Sequence, residues 1–133
     1  MNEINAKIKS ATITNDDHGL LSAYIHLDYG VGGQSFGGYC LYTPKNPGLN
    51  YTGLFIWRVL EIAGVRKWED LPEKTIRVRQ NNRSILAIGH ILKDDWFCPK
   101  NEFKGLEENS RIKARDDALK EMTQRGREAS EHD

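Results

Sequence analysis

Apolar and polar residues alternate from Ile4 to Thr14, as in IKSATIT, and the run stops at the turn-forming stretch Asn15-Asp16-Asp17-His18-Gly19. The alternation resumes in LLSAYIHLDY. Leu21, Ala23, Ile25, Leu27 and Tyr29 fall on one side, and Ser22, Tyr24, His26 and Asp28 on the other. A hairpin of two half-buried strands is predicted. GVGG supplies the next bend, because glycine takes positive φ at little steric cost. QSFGGYCLY then predicts a third strand, with Phe36, Gly38, Cys40 and Tyr42 on one side and Ser35, Gly37, Tyr39 and Leu41 on the other. Within it, Gly37-Gly38 marks a bulge, or a place where another segment or a ligand lies close to the backbone.

After the proline-bearing loop TPKNPGLN the period changes. YTGLFIWRVLEIAGV reads as a helix, with Thr52 as N-cap and Gly64 just past its end. Only Arg58 and Glu61 are strongly polar inside it, so the helix is expected to be buried on most sides, Trp57 included. RKWEDLPEK is a turn. TIRVRQ and SILAIGHIL form a second hairpin around NNR, with Ile76 and Val78 inward and Arg77 and Arg79 outward. KDDWFCPKNEF closes the domain, Trp96 and Phe97 covering one end of the core. The order β-β-β-α-β-β-α predicts an α+β domain over residues 1–104, a mainly antiparallel five-stranded sheet on one buried helix. From Gly105 the chain is dominated by charge. Ile112, Leu119 and Met122 form only a thin apolar stripe, so residues 105–133 are expected to form a surface helix that frays near Gly126 into a partly disordered tail, with a second subunit as one way to cover the stripe.

Composition narrows the function classes. A chain of 133 residues holds one domain and a tail. Its 19 basic and 19 acidic residues balance, which argues against strong nonspecific attraction to nucleic acid. Cys40 and Cys98 have no zinc or redox spacing and read as small buried hydrophobes. With no signal-like or membrane-spanning apolar stretch, a cytoplasmic protein with reduced thiols and no membrane partner is expected.

Five glycines between Gly30 and Gly38 raise the question of a phosphate cradle. A cradle needs converging amides at a helix start, whereas the residues after this cluster alternate like a strand. The cluster therefore reads as a hairpin, whose glycine-rich surface, flanked by Tyr29, Gln34, Phe36 and Tyr39, offers a place for a flat ligand, a base or a peptide strand. His26 and Asp28 share a strand face, and His90 joins them only if the fifth strand lies alongside. His18 falls in a turn and His132 in the tail. The acidic pairs Asp16-Asp17 and Asp94-Asp95 fall in turns. No nucleophile elbow, metal-ligand cluster or cofactor motif is present. Arg77, Arg79 and Arg83, with Lys74 nearby, make the one basic concentration, suited to phosphate or to an acidic protein surface.

The segments YGVGGQSFGG, WEDL and IGH with the later WF resemble a small protein family of tailed bacteriophages and prophages, over residues 5–100. That family has no settled catalytic assignment, so the resemblance carries over no site residue. It implies a viral accessory protein in the host cytoplasm, anti-CRISPR-like inhibitors of host defence being a common class in that setting. The expectation is thus a non-enzymatic protein binding a host or phage complex, a defence nuclease or its surveillance complex, through Tyr24, His26, Asp28, Gln34, Tyr39, Arg77, Arg79 and Arg83. The alternatives are a nucleic-acid-binding accessory protein of replication or recombination, with Tyr39 or Phe36 stacking on bases, and a small-nucleotide-binding protein or enzyme.

Overall fold

A computed structural model describes residues 2–16 and 18–131, with side chains described as far as Met122. The chain divides into two units, Met1–Pro99 and Lys100–Asp133. In the first, the strands are β1 (Asn2–Asn15), β2 (Leu21–Asp28), β3 (Gly33–Gly37), β4 (Thr75–Gln80), β5 (Ile85–Gly89) and β6 (Trp96–Phe97). Helix α1 (Thr52–Ala63) lies between β3 and β4 in sequence. The fold is α+β, and every strand pairing is antiparallel, in the order β3-β2-β1-β4-β5-β6. One strand more is present than the alternation predicts, because β6 is only two residues long, too short to show a period.

β1 is shared by two half-sheets. Its first half pairs with β4, from Asn2 opposite Gln80 to Lys7 opposite Thr75. Its second half pairs with β2, from Lys7 opposite Asp28 to Asn15 opposite Leu21. The register shifts between Ile8 and Ser10, so Lys9 is the extra residue of a bulge. The bulge reverses the parity of the strand. Ala6 and Ile8 are buried before it, and after it Ala11 stands opposite buried Ile25. A straight IKSATIT alternation misses this reversal.

The sheet is strongly curled. In a flat sheet β3 and β5, with three strands between them, would lie roughly 19 Å apart. Instead they approach within 8 Å between Cα atoms. Phe36 of β3 and Phe97 of β6, at opposite ends of the strand order, have ring centroids 5.9 Å apart. Phe55 of α1 fills the space between them, 5.8 Å from Phe36 and 5.7 Å from Phe97. Ile8, Ile25, Val59, Ile62, Ile76, Val78 and Ile88 complete a dry core around these rings.

α1 presents Phe55, Val59 and Ile62 to that core, an i, i+4, i+7 stripe. Trp57 points the other way and is 67% exposed, against the expectation that it is core. At 100° per residue it sits about 200° from Phe55, opposite the buried stripe. Tyr51, not Thr52, takes the N-cap position, and the Asn50 side-chain oxygen accepts from the Thr52 amide. Gly64 ends the helix at φ 72°, as its position predicts.

Gly37 and Gly38 end β3 with φ of 115° and 79°. This bend reverses the later parity: Leu41 is buried and Cys40 exposed, contrary to the alternation read from the sequence. The second unit contains the rest of α2 (Pro99–Glu131), which starts ahead of Gly105, the expected boundary. Its Ile112, Leu119 and Met122 are exposed. His132 lies outside the described residues.

Candidate functional site

The outer face of β1, β2 and β3 carries the most distinctive surface. Residues directly opposite in an antiparallel pair share a face. One row therefore holds Ser35, His26 and Ser10, the next Gly37, Tyr24 and Thr12, and a third Gly33, Asp28 and Lys7. Seen from outside, β3 offers only Gly33, Ser35 and Gly37, a strip almost bare of side chains. The bareness is enforced from within the sheet. A Cβ at Gly33 would lie 2.2 Å from the Leu27 carbonyl oxygen, and one at Gly37 2.3 Å from that of Ala23. β1 contributes hydroxyls, and β2 contributes two rings.

Tyr24 and His26 meet edge to face, ring centroids 5.2 Å apart. His26 Nδ1 lies 2.5 Å from the Ser35 hydroxyl, which donates when the ring proton is on Nε2. Beside this pair is a shallow depression of about 680 Å³ lined by Lys9, Ser10, His26, Leu27, Gly33, Gln34 and Ser35. The neighbouring turn is braced. The Tyr29 hydroxyl lies 2.6 Å from Gln34 Oε1, and the Gly30 amide donates to Asp28 Oδ1. Gly30 and Gly32 take φ of 88° and 77°, so the glycine cluster serves a hairpin turn.

Of the residues singled out from the sequence, Tyr24, His26, Asp28 and Gln34 come together on or beside this face. The others do not join them. Tyr39 packs 6.5 Å from Phe36 and 6.3 Å from Phe55, and burial, with the Cys98 thiol nearby, pushes its phenol pKa up. Phe36 is fully in the core. Phe36 is therefore not placed to stack on a base from outside, and Tyr39 is half-buried against the core rings. Arg83 is exposed in the β4–β5 turn, where Asn81 Oδ1 accepts its amide.

Arg77 and Arg79 do share an outward face, but they are occupied there. Their guanidinium carbons lie 4.8 Å and 3.8 Å from the centroid of the Trp96 ring. Arg77 also donates to the carbonyls of His90 and Lys93, at 2.7 Å each. Glu3 lies 3.5 Å from both arginines. Trp96 needs Gly89 beneath it, since a Cβ there would fall 2.7 Å from the indole.

Sequence reasoning missed that this loop is gripped from the other side by Arg58. Its guanidinium donates to Asp95 Oδ1 at 2.9 Å and to the Trp96 carbonyl at 2.8 Å, pairs with Glu61, and lies over the Phe97 ring. The Arg58 hydrogen bond holds the Asp95 carboxyl below its ordinary pKa. The signal was available as the one cation inside an apolar helix.

His90 does not join His26 and Asp28. Strands β1 and β4 separate β2 from β5. The His90 ring is spent on its own turn, Nδ1 accepting from the amides of Leu92 and Lys93 at 3.0 Å each. His26 has the Ser35 hydroxyl as its hydrogen-bond neighbour, and an oxygen of Asp28 is engaged by Gly30. No nucleophile–base–orienter chain is assembled at these residues. Among the described residues, no group of three or more His, Cys, Asp or Glu could hold a metal ion, and no helix is long and apolar enough to cross a membrane. What the face can do is bind: two rings for stacking, hydroxyls and an amide for hydrogen bonding, and open backbone on β3. No family model matches the chain, and no curated protein or solved structure is similar enough to count as a match.

Proposed function

We propose that this chain is a non-enzymatic binding module for single-stranded nucleic acid, with the outer face of β1, β2 and β3 as its contact surface. One observation carries the reading: a bare Gly33-Ser35-Gly37 strip lies beside the Tyr24–His26 ring pair on a curled sheet. Unpaired bases stack on such rings whatever their sequence, while the bare strip lets the strand lie close to the backbone. A duplex keeps its base faces covered and gains little from the same surface. The connectivity agrees. Apart from the two-residue β6, the order of three strands, a helix and two strands, with a bulged β1 shared between β2 and β4, is that of the five-stranded oligonucleotide- and oligosaccharide-binding barrel, whose ligands lie across strands two and three. Connectivity alone does not assign a function, so the weight rests on the residues.

Fluorescence anisotropy with labelled single strands, and with a duplex as control, tests the proposal. Each stacked base is worth about 1–3 kcal/mol, so Tyr24→Ala is expected to weaken binding by roughly 5- to 150-fold. Absence of binding to any single strand at low salt removes this reading.

A second reading keeps the protein-binding role implied by the bacteriophage resemblance, in which the chain occupies a surface of a host defence complex. The exposed Trp57 favours it. Trp57 borders a groove of about 370 Å³ with Leu60, Glu61, Val65 and Arg66. Aromatic and arginine side chains are the usual anchors of such contacts. Capture of a defence complex from infected-cell lysate that is lost in Trp57→Ala supports this reading. Capture unchanged by that substitution removes Trp57 from it.

A further inference from the structure

Resting on the single-strand reading above, we infer that the site is a short, stacking-dominated subsite whose one free phosphate contact is Lys9. The argument is electrostatic. Residues 1–99 carry eleven Lys and Arg against ten Asp and Glu, so the body has almost no net field. Three of its arginines are committed elsewhere. Arg58 is bound to Asp95 and Glu61, and Arg77 and Arg79 to Glu3 and Trp96. On the ligand face itself, Lys7 lies 3.2 Å from Glu73. Lys9 differs. It sits at the β1 bulge and lines the depression containing His26 and Ser35, and it forms no ion pair among the described residues.

The dimensions fit a short segment. Tyr24 and His26 are two residues apart on one strand, a repeat of about 6.8 Å. Asp28 follows at the next step on the same face, and its carboxylate repels a phosphate placed there. Bases over the two rings and one phosphate on Lys9 therefore describe the occupant, about two nucleotides long. Affinity then comes mainly from ring stacking and hydrogen bonds to Ser10, Gln34 and Ser35.

Salt dependence tests this directly. For single strands the slope of log K against log salt is about −0.7 per neutralised phosphate. The wild-type protein with a labelled oligothymidylate is expected to give a slope of about −0.7, whereas about −1.4 would mean that a second cation such as Lys7 also meets a phosphate, against the inference. Lys9→Ala is expected to flatten the wild-type slope by about 0.7, while Arg83→Ala leaves it unchanged. A slope of about −1.4 or steeper, or a Lys9→Ala slope equal to wild type, overturns the inference while the single-strand reading stands. No binding at any salt overturns that reading itself. Thermal melting of each variant, expected to match wild type because both side chains are exposed, shows that the changes in slope come from a folded protein.

Discussion

Replacing Arg58 by alanine tests how the β5–β6 segment is held. The side chain is 13% exposed, makes hydrogen bonds of 2.9 Å to Asp95 and 2.8 Å to the Trp96 carbonyl, and covers the Phe97 ring. Hydrogen bonds to a charged group contribute about 1.5–3 kcal/mol each when buried. Asp95 is 35% exposed, so its share is reduced by solvent screening. The Trp96 carbonyl loses its guanidinium partner, and Phe97 loses part of its cover. Together these give a loss of about 2 kcal/mol, or a fall in Tm of about 8–16 °C for a domain of this size. Denaturant unfolding and calorimetry at neutral pH measure both. Asp95→Asn keeps an acceptor and is expected to cost less, about 0.5–1 kcal/mol. The pH dependence follows from the sign of the Asp95 shift. A carboxyl held below its ordinary pKa stabilises the fold above that ordinary value, and the contribution is lost as pH falls through the depressed one. The gap between wild type and Arg58→Ala should therefore narrow in strong acid. A loss below about 0.5 kcal/mol at neutral pH would refute the claim that this arginine is the inner clamp of the segment.

Other expectations concern single positions. Gly37→Ala would place a Cβ 2.3 Å from the Ala23 carbonyl oxygen at φ 115°, and should cost roughly 3 kcal/mol or more by denaturant unfolding. Gly19→Ala, with nothing within 4 Å of its Cβ position, should cost only about 1–2 kcal/mol of backbone strain. Trp57→Ala should lower stability by less than about 1 kcal/mol, whereas Phe55→Ala should lower it by about 3–5 kcal/mol, and equal losses would contradict the orientation of α1. Burial raises the phenol pKa of Tyr29 and Tyr39, so stability should fall as pH climbs above about 10 toward the raised values. Ultraviolet titration should show a corresponding late phenolate fraction, and a single unshifted phenolate transition would contradict both placements.

The half-buried strands were legible because a period of two survives in sequence wherever one face is dry. β2 shows this best: Ala23, Ile25 and Leu27 are buried, as their spacing requires. The same reasoning failed where the backbone breaks step. Lys9 adds a residue to β1 and shifts its register, and Gly37 and Gly38 turn the chain, so Cys40 and Leu41 fall on the faces opposite to those counted. Trp57 was misplaced for a different reason. So apolar a helix predicts burial on most sides, yet its wheel separates Trp57 from Phe55, Val59 and Ile62. The fate of Arg77 and Arg79 was not legible at all. It depends on Trp96, which is distant in sequence and reaches the same face only through the β5–β6 pairing of Gly89 with Trp96. Tyr24, His26 and Asp28 were found because a shared strand face is a local property. Their bare neighbour strip depended on the β2–β3 register, which alternation alone does not fix.

Amide chemical-shift mapping during titration with a short single-stranded oligonucleotide tests the central claim most directly. The account expects the perturbed amides to cluster at residues 24–28 and 33–37, with Lys9 and Ser10 beside them. Shifts confined to the Trp57 groove, or to the Arg77–Arg83 hairpin, would contradict it.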